Sequence, residues 1–202
     1  ILRDGDMWSD PRKGNPGSFS REFLGRNMGE DDQPSMLLMD EPDHRRLRSL
    51  VSSSFTPTAV ERWRPRTKIV VQRVLDKIDS AEFDLIQDFS GPVPTVVIAE
   101  MLGIDPDKHE AFKQWSDTSV AAAFNPFASE ELLAAQEEAN TNLRNFFSSE
   151  IEKRRSNLGD DLLSDMIRAE QDGEKLCVEK IITQSNLLLV AGNVTTTDLI
   201  GN

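Results

Sequence analysis

Apolar residues recur along this chain mostly at the three- and four-residue spacing of a helix face, and the strict alternation of a half-buried strand is almost absent. The pattern predicts a mainly α fold with minor β structure. Asp40 caps a helix that tolerates Pro42 in its opening turn and runs to about Ser54, and Thr56 with Pro57 is the next start signal. Past an interruption at Pro65, the stripe Val71, Val74, Leu75 and Ile78 predicts a helix over roughly 66–79 with one face in a core. Pro92 to Leu102 is apolar nearly all round and stops at Gly103, which predicts a buried central helix closed by a glycine cap. Asp105 and Pro106 open a helix to about Phe124, ended by Asn125 and Pro126. Ser129, Glu130 and Glu131 start a long helix reaching about Ser156, antiparallel to the one before it. A shorter helix from Asp160 to Gln171 meets the turn signal Asp172-Gly173, and a last one begins near Val178 and still runs at Asn202.

Residues 1–39 break this pattern. After a short possible helix, Pro11, Gly14, Pro16, Gly17, Gly29 and Pro34 prevent regular structure and leave a long loop. It carries Phe19, Phe23, Leu24, Met28, Met36 and Leu37, which either line a ligand pocket or anchor an ordinary surface loop.

Composition narrows the function. The 202 residues suit one domain or most of one, and 38% hydrophobic content is enough for a core. With 35 acidic against 23 basic residues, the charge of -12 repels phosphate backbones and anionic lipid surfaces. One cysteine and two histidines allow neither an internal disulfide nor a Cys/His zinc site. The longest aliphatic run, Leu187 to Ala191, is far short of the roughly 20 residues that span a bilayer, and no basic-then-apolar leader is visible. The expectation is a soluble, cytoplasmic protein that binds neither nucleic acid nor membrane. Opening at Ile1 and closing inside a helix, the chain reads as an internal piece of something longer.

Two places ask for more than packing. In the helix holding His44, Arg45, Arg46, Leu47, Arg48, Leu50 and Val51, a rotation of about 100° per residue puts Leu47, Leu50 and Val51 on one arc, with His44 and Arg48 together at its edge. That pair makes a fork for carboxylates, or else an internal salt bridge. In the last helix, Ala191, Gly192, Asn193, Val194, Thr195, Thr196 and Thr197 give up roughly 3 kcal/mol of helix propensity. Glycine and hydroxyls there suit either a small molecule lying against an opened groove or a close helix crossing at Gly192.

Together these segments resemble a soluble bacterial cytochrome P450. "MDEPDHRRLRSLVSSSFTP" from Met39 to Pro57 is similar to the family's helix C region, with its His-x-x-x-Arg pair for haem propionates; "LLLVAGNVTTTDLIGN" from Leu187 to Asn202 is similar to helix I, whose usual form is Ala-Gly-x-Glu/Asp-Thr-Thr. "ILRDGDMWSD" resembles helix B. The resemblance implies a partial P450 fold, part of a single domain: helix B and the B–C substrate loop over 1–39, helices C to H over 40–171, and a truncated helix I over 178–202. The amino-terminal sheet, the Glu-x-x-Arg helix and the cysteine-ligand loop have no counterpart.

The same resemblance implies haem b as cofactor, with His44 and Arg48 on its propionates, Ala191 and Gly192 beside it, and Thr195 in proton delivery during oxygen activation. It places Met36, Leu37, Val190 and Val194 against an apolar substrate, and Arg45 and Arg46, within a cluster with Arg62, Arg64 and Arg66, toward an electron donor. The acid expected before Thr195 is Val194, leaving Asn193, Thr196 or water to substitute. Cys177 lies ahead of helix I and is expected to be a small buried residue, the axial cysteine lying outside this chain. The implied reaction is insertion of one atom of dioxygen into a C–H bond, with electrons from a ferredoxin and its reductase. A peroxide-using or atypical haem enzyme of the same fold, and a non-catalytic helical binding module, are the alternatives.

Overall fold

Seven α-helices make up most of the described residues: α1 (Asp43–Ser52), α2 (Pro57–Leu75), α3 (Pro92–Met101), α4 (His109–Ala123), α5 (Glu130–Arg155), α6 (Leu162–Gln171) and α7 (Val178–Gly201). The structure, a computed structural model, describes residues 8–25, 28, 34–123, 125–171 and 177–202; no strand occurs among them, so the expected minor β structure is not found there. The expected opening helix falls mainly on 1–7, and the turn at Asp172-Gly173 on 172–176, both outside the described residues.

The starts of α2 and α5 follow their sequence signals, whereas the Asp40 carboxylate, expected to cap α1, instead accepts from Ser9 N at 2.6 Å and Lys13 Nζ at 3.0 Å. Thr56 Oγ1 accepts from Ala59 N at 3.3 Å and Ser129 Oγ from Leu132 N at 3.2 Å, each satisfying a donor that a first helical turn leaves free. Past the end of α3, Gly103 adopts φ +74°, and a side chain there would strike Asp161 at 2.6 Å, so glycine is required for both conformation and space. The expected antiparallel pair is α4 with α5: Phe112 stacks edge-on against Phe147 at 6.0 Å, while Ser119, two turns later, donates to Asn140 at 2.6 Å, two turns earlier. Phe112 and Phe147 join Leu102, Ile167, Ile181 and Leu189 in one buried cluster, so α3, α6 and α7 close around the pair.

Four expectations are corrected. α2 runs unbroken through Pro65, because Ala59, Val70 and Val74 form one buried face while Pro65 and Glu61 are on the exposed side, where water can serve the carbonyl left without a donor. Its phase also differs from the expected stripe: Val70 is buried and Leu75 is exposed. Leu85–Ser90, where the pattern predicted nothing, is a π-helical turn capped by Asp84, whose Oδ1 accepts from Ile86 N at 2.8 Å and Gln87 N at 2.9 Å. Cys177 is not buried; it is exposed at the N-cap of α7.

One arginine ties three helices together. Arg154 of α5 donates to the Glu150 carboxylate and to the Gly103 carbonyl beyond α3, and its Nε lies 3.4 Å from Asp161 Oδ1. Asp161 in turn caps α6 by accepting from Ser164 N at 2.8 Å. The Arg154 and Glu150 side chains are only 12% and 11% exposed. Burial pushes the Glu150 carboxyl up, but hydrogen bonds from Lys153 and Arg154 outweigh it and hold the pKa below the usual glutamate range. A carboxylate lowered in this way stabilises the fold above its unfolded pKa and loses that contribution as pH falls through its folded value. Glu150→Gln is therefore expected to lower stability by about 2 kcal/mol at neutral pH, with the deficit shrinking below about pH 4. Thermal midpoints of parent and variant across that range check it, and a deficit independent of pH would remove the ion pair as its source.

Candidate functional site

Helix α7 buries one side and leaves the other open. Leu189 and Asn193 are buried, whereas Ala191 and Thr195 are exposed and Leu199 is 77% exposed. At about 100° per residue, Ala191, Thr195 and Leu199 fall on one arc, with Asn193 almost opposite Thr195 and half-buried Val190 and Val194 on the flank. The helix is continuous through this weak-propensity stretch. Thr195 Oγ1 donates to the Ala191 carbonyl at 2.7 Å, the back-bond open to a threonine one turn on.

Gly192 had two readings, and the close crossing is the one with a contact in the structure: a Cβ on it would lie 3.4 Å from Ile98 of α3. Asn193, a sequence candidate for the missing relay group, does not face Thr195. Its Nδ2 donates to Asp117 Oδ1 at 3.1 Å and Ser116 Oγ at 3.4 Å, both on α4. The polar character of Asn193 inside an apolar run was the signal for this link; its partners, 76 residues away, were not readable.

On α1, Leu47 and Val51 are buried as expected, while the Leu50 side chain lies outside the described residues. His44 is half-buried, with Nδ1 3.4 Å from Glu41 Oε1. Arg48, one turn on, is exposed, and no hydrogen bond or ion pair joins it to another described residue. Among the described residues, the internal salt bridge is thus a loose His44–Glu41 contact that does not involve the Arg48 guanidinium.

The long loop reaches α7 directly. Half-buried Met36 donates its backbone N–H to Gln184 Oε1 at 3.1 Å, and exposed Leu37 follows within the short turn Met36–Leu38. Gln184 itself is buried in α7, and its Nε2 has no hydrogen-bond partner among the described residues. Sequence reading passed over Gln184, another polar residue in an apolar run. The arginine cluster is partly answered by its own surroundings: Arg45 lies 3.3 Å from Glu41, Arg64 donates twice to Glu61 at 2.7 Å, and Arg66 sits over the Trp63 ring at 5.0 Å.

No helix among the described residues is long and apolar enough to cross a membrane. No family model matches the chain. Against curated proteins, it is 40% identical over 171 residues to cytochrome P450 109 of Bacillus spizizenii, covering 83% of this chain and 42% of the relative. It is 34% identical over 193 residues to the cyclomarin C epoxidase CymV of Salinispora arenicola, covering 93% of this chain and 49% of the relative. Among solved structures, the myxobacterial cytochrome P450 CYP267B1 in complex with myristic acid superposes with a TM-score of 0.82 at 31% identity, over 97% of this chain and 48% of that one. The chain spans about half the length of the relatives it matches. Sequence and fold point the same way, and the chain belongs to the cytochrome P450 family.

Proposed function

We propose that this chain is part of a haem-dependent monooxygenase that inserts one atom of dioxygen into an apolar organic substrate. The observation that carries the reading is the open arc of α7, where a helix otherwise packed into the core presents Ala191 and the Thr195 hydroxyl together. The residues fit haem b. A cation with no partner among the described residues, Arg48, and a half-buried histidine one turn away match carboxylate propionates in charge and donor number. Bound haem would supply the oxidising chemistry. The chain's own residues do the rest. His44 and Arg48 hold the propionates, Ala191 keeps the arc shallow, and Thr195 holds a proton at Oγ1. Met36, Leu37, Val190 and Val194 offer an apolar lining that favours an apolar substrate and excludes water. Gly192, turned toward Ile98, serves by bringing α7 close to α3. The axial cysteine is assigned outside this chain, not to Cys177. CymV, named an epoxidase, supports oxygen insertion as the reaction class. A peroxide-using enzyme of the same fold is the second reading, favoured by Val194, which puts an apolar side chain where a relay acid would stand.

In the full-length protein, His44→Ala and Arg48→Ala are each expected to weaken haem retention, since a hydrogen bond to a charged group contributes about 1.5–3 kcal/mol. Haem content after desalting reads this, and full occupancy in the double variant would remove both residues from the site. A parent protein that takes up no haem on titration would leave only the binding-module alternative.

Thr195→Ala is expected to release peroxide and form little product per reducing equivalent, because the proton held at Oγ1 is lost. Val194→Glu is expected to bring no gain, since a carboxylate on that half-buried flank takes up a proton itself. A clear rise in product per reducing equivalent in the glutamate variant would show that the missing acid limits the enzyme, and peroxide-driven turnover exceeding reductase-driven turnover would favour the second reading.

Electrons are assigned to a ferredoxin and its reductase, docking over Arg45 and Arg46. Charge reversal at both is expected to slow ferredoxin-supported reduction, most at low salt, where the Debye length exceeds about 10 Å. Rates unchanged across salt would leave these arginines as a solvated face.

A further inference from the structure

The buried carboxamide of Asn193 is expensive where it stands. It is 5% exposed, in the middle of a helix whose neighbours Leu189 and Ile182 are apolar and buried, and a leucine would fill such a place without needing partners. Instead both ends of the amide are used. Nδ2 donates to Asp117 Oδ1 and Ser116 Oγ on α4, and Oδ1 accepts from Thr197 Oγ1 at 3.3 Å. Asp117 is held from its other oxygen by Lys113 Nζ at 2.6 Å. Thr197 Oγ1 also lies 3.2 Å from the Ser90 carbonyl, bringing the turn before α3 into the same group.

We propose that Asn193 is a positioning residue: by joining the middle of α7 to Asp117 of α4, it fixes the rotation at which α7 presents Ala191 and Thr195. Its significance for catalysis rests on the haem reading above; the clamp itself does not. Apolar contacts resist separation of two helices but are nearly indifferent to small rotations, whereas a hydrogen-bonded amide has one good orientation. Asn193 stands almost opposite Thr195, so turning the amide out of reach of Asp117 turns the threonine by the same angle. The neighbouring residue complements it: Gly192 against Ile98 sets how near α7 lies to α3, and Asn193 sets how far it is turned. The other end of the link is α4, which Ser119 and Gln136 bind to α5 and whose connection to α5 carries Phe127, 91% exposed. A displacement of the α4–α5 pair is therefore transmitted to the open arc of α7 through this amide.

The test uses the full-length holoprotein and four variants. Asn193→Asp sets two carboxylates against each other. Combined with Asp117→Asn, it restores the pair with the donor on α4. Asn193→Leu keeps the bulk without the bond, and Asp117→Ala removes the partner at an exposed side chain, where folding is not at stake. Amide hydrogen exchange over 187–201 and 109–123 is expected to quicken about tenfold in Asn193→Asp, Asn193→Leu and Asp117→Ala, and to return to within about twofold of the parent in the swapped pair. Exchange unchanged in the leucine and alanine variants, or a swap no better than Asn193→Asp alone, overturns the clamp. With carbon monoxide as the probe on reduced haem, its stretching frequency should shift in Asp117→Ala and return in the swapped pair. A frequency that ignores Asp117 while exchange responds overturns the positioning role. A parent that binds no haem defeats the functional reading and leaves the exchange result to judge the clamp.

Discussion

A helix of 24 residues as apolar as α7 carries more hydrophobic surface than any one neighbour covers, and the division of that surface shapes the whole chain. Its first half meets α5, through Arg144 and Glu179, and the loop that arrives at Gln184. Its second half is enclosed on one side only, by α3, α4 and the turn at Leu85–Ser90. The remaining arc is where small and hydroxyl side chains appear. Burial therefore sets the floor of the site, and the polar groups near it act within limits that burial has set.

Two kinds of connection hold this arrangement. The core of Phe112, Phe147, Leu102 and Leu189 gives attraction without direction. Direction comes from a few enclosed polar groups, Arg154 at one end of the fold and Asn193 near the other, each satisfied by partners on different helices. Losing one partner of such a group costs more than losing a surface ion pair, because the group left behind stays buried. Exposed pairs such as Arg64 with Glu61 are short but have water as a competitor, and they settle little about how the helices meet.

Much of this was legible in advance for a physical reason: caps and face periodicity are local. Thr56, Ser129 and Gly103 announce boundaries within a few residues of themselves, and the four-residue step from His44 to Arg48 places both on one edge whatever lies around them. Pro65 misled because its effect depends on which side of α2 meets solvent, which only packing decides. The turn at Leu85–Ser90 has too few residues for a period to show. The roles of Asn193, Gln184 and Arg154 depend on partners 76, 148 and 51 residues away, and no local pattern reports those distances. The Ala191–Thr195 arc was readable as an anomaly of helix propensity, but which of its residues look outward and which look inward required the neighbouring helices.

The hydroxyl of Thr195 has one hydrogen, and that hydrogen is engaged by the Ala191 carbonyl. Seen from the open side, the residue therefore presents lone pairs, and a water or alcohol arriving there is first a donor to it. To give a proton outward, the hydroxyl must release the carbonyl, by turning about its Cβ–Oγ1 bond or by a swing of the side chain about Cα–Cβ between rotamers a helix permits to threonine. Thr195 is in this sense a two-position contact whose resting state receives. The backbone oxygen of Ala191, not a second side chain, sets how readily it changes over.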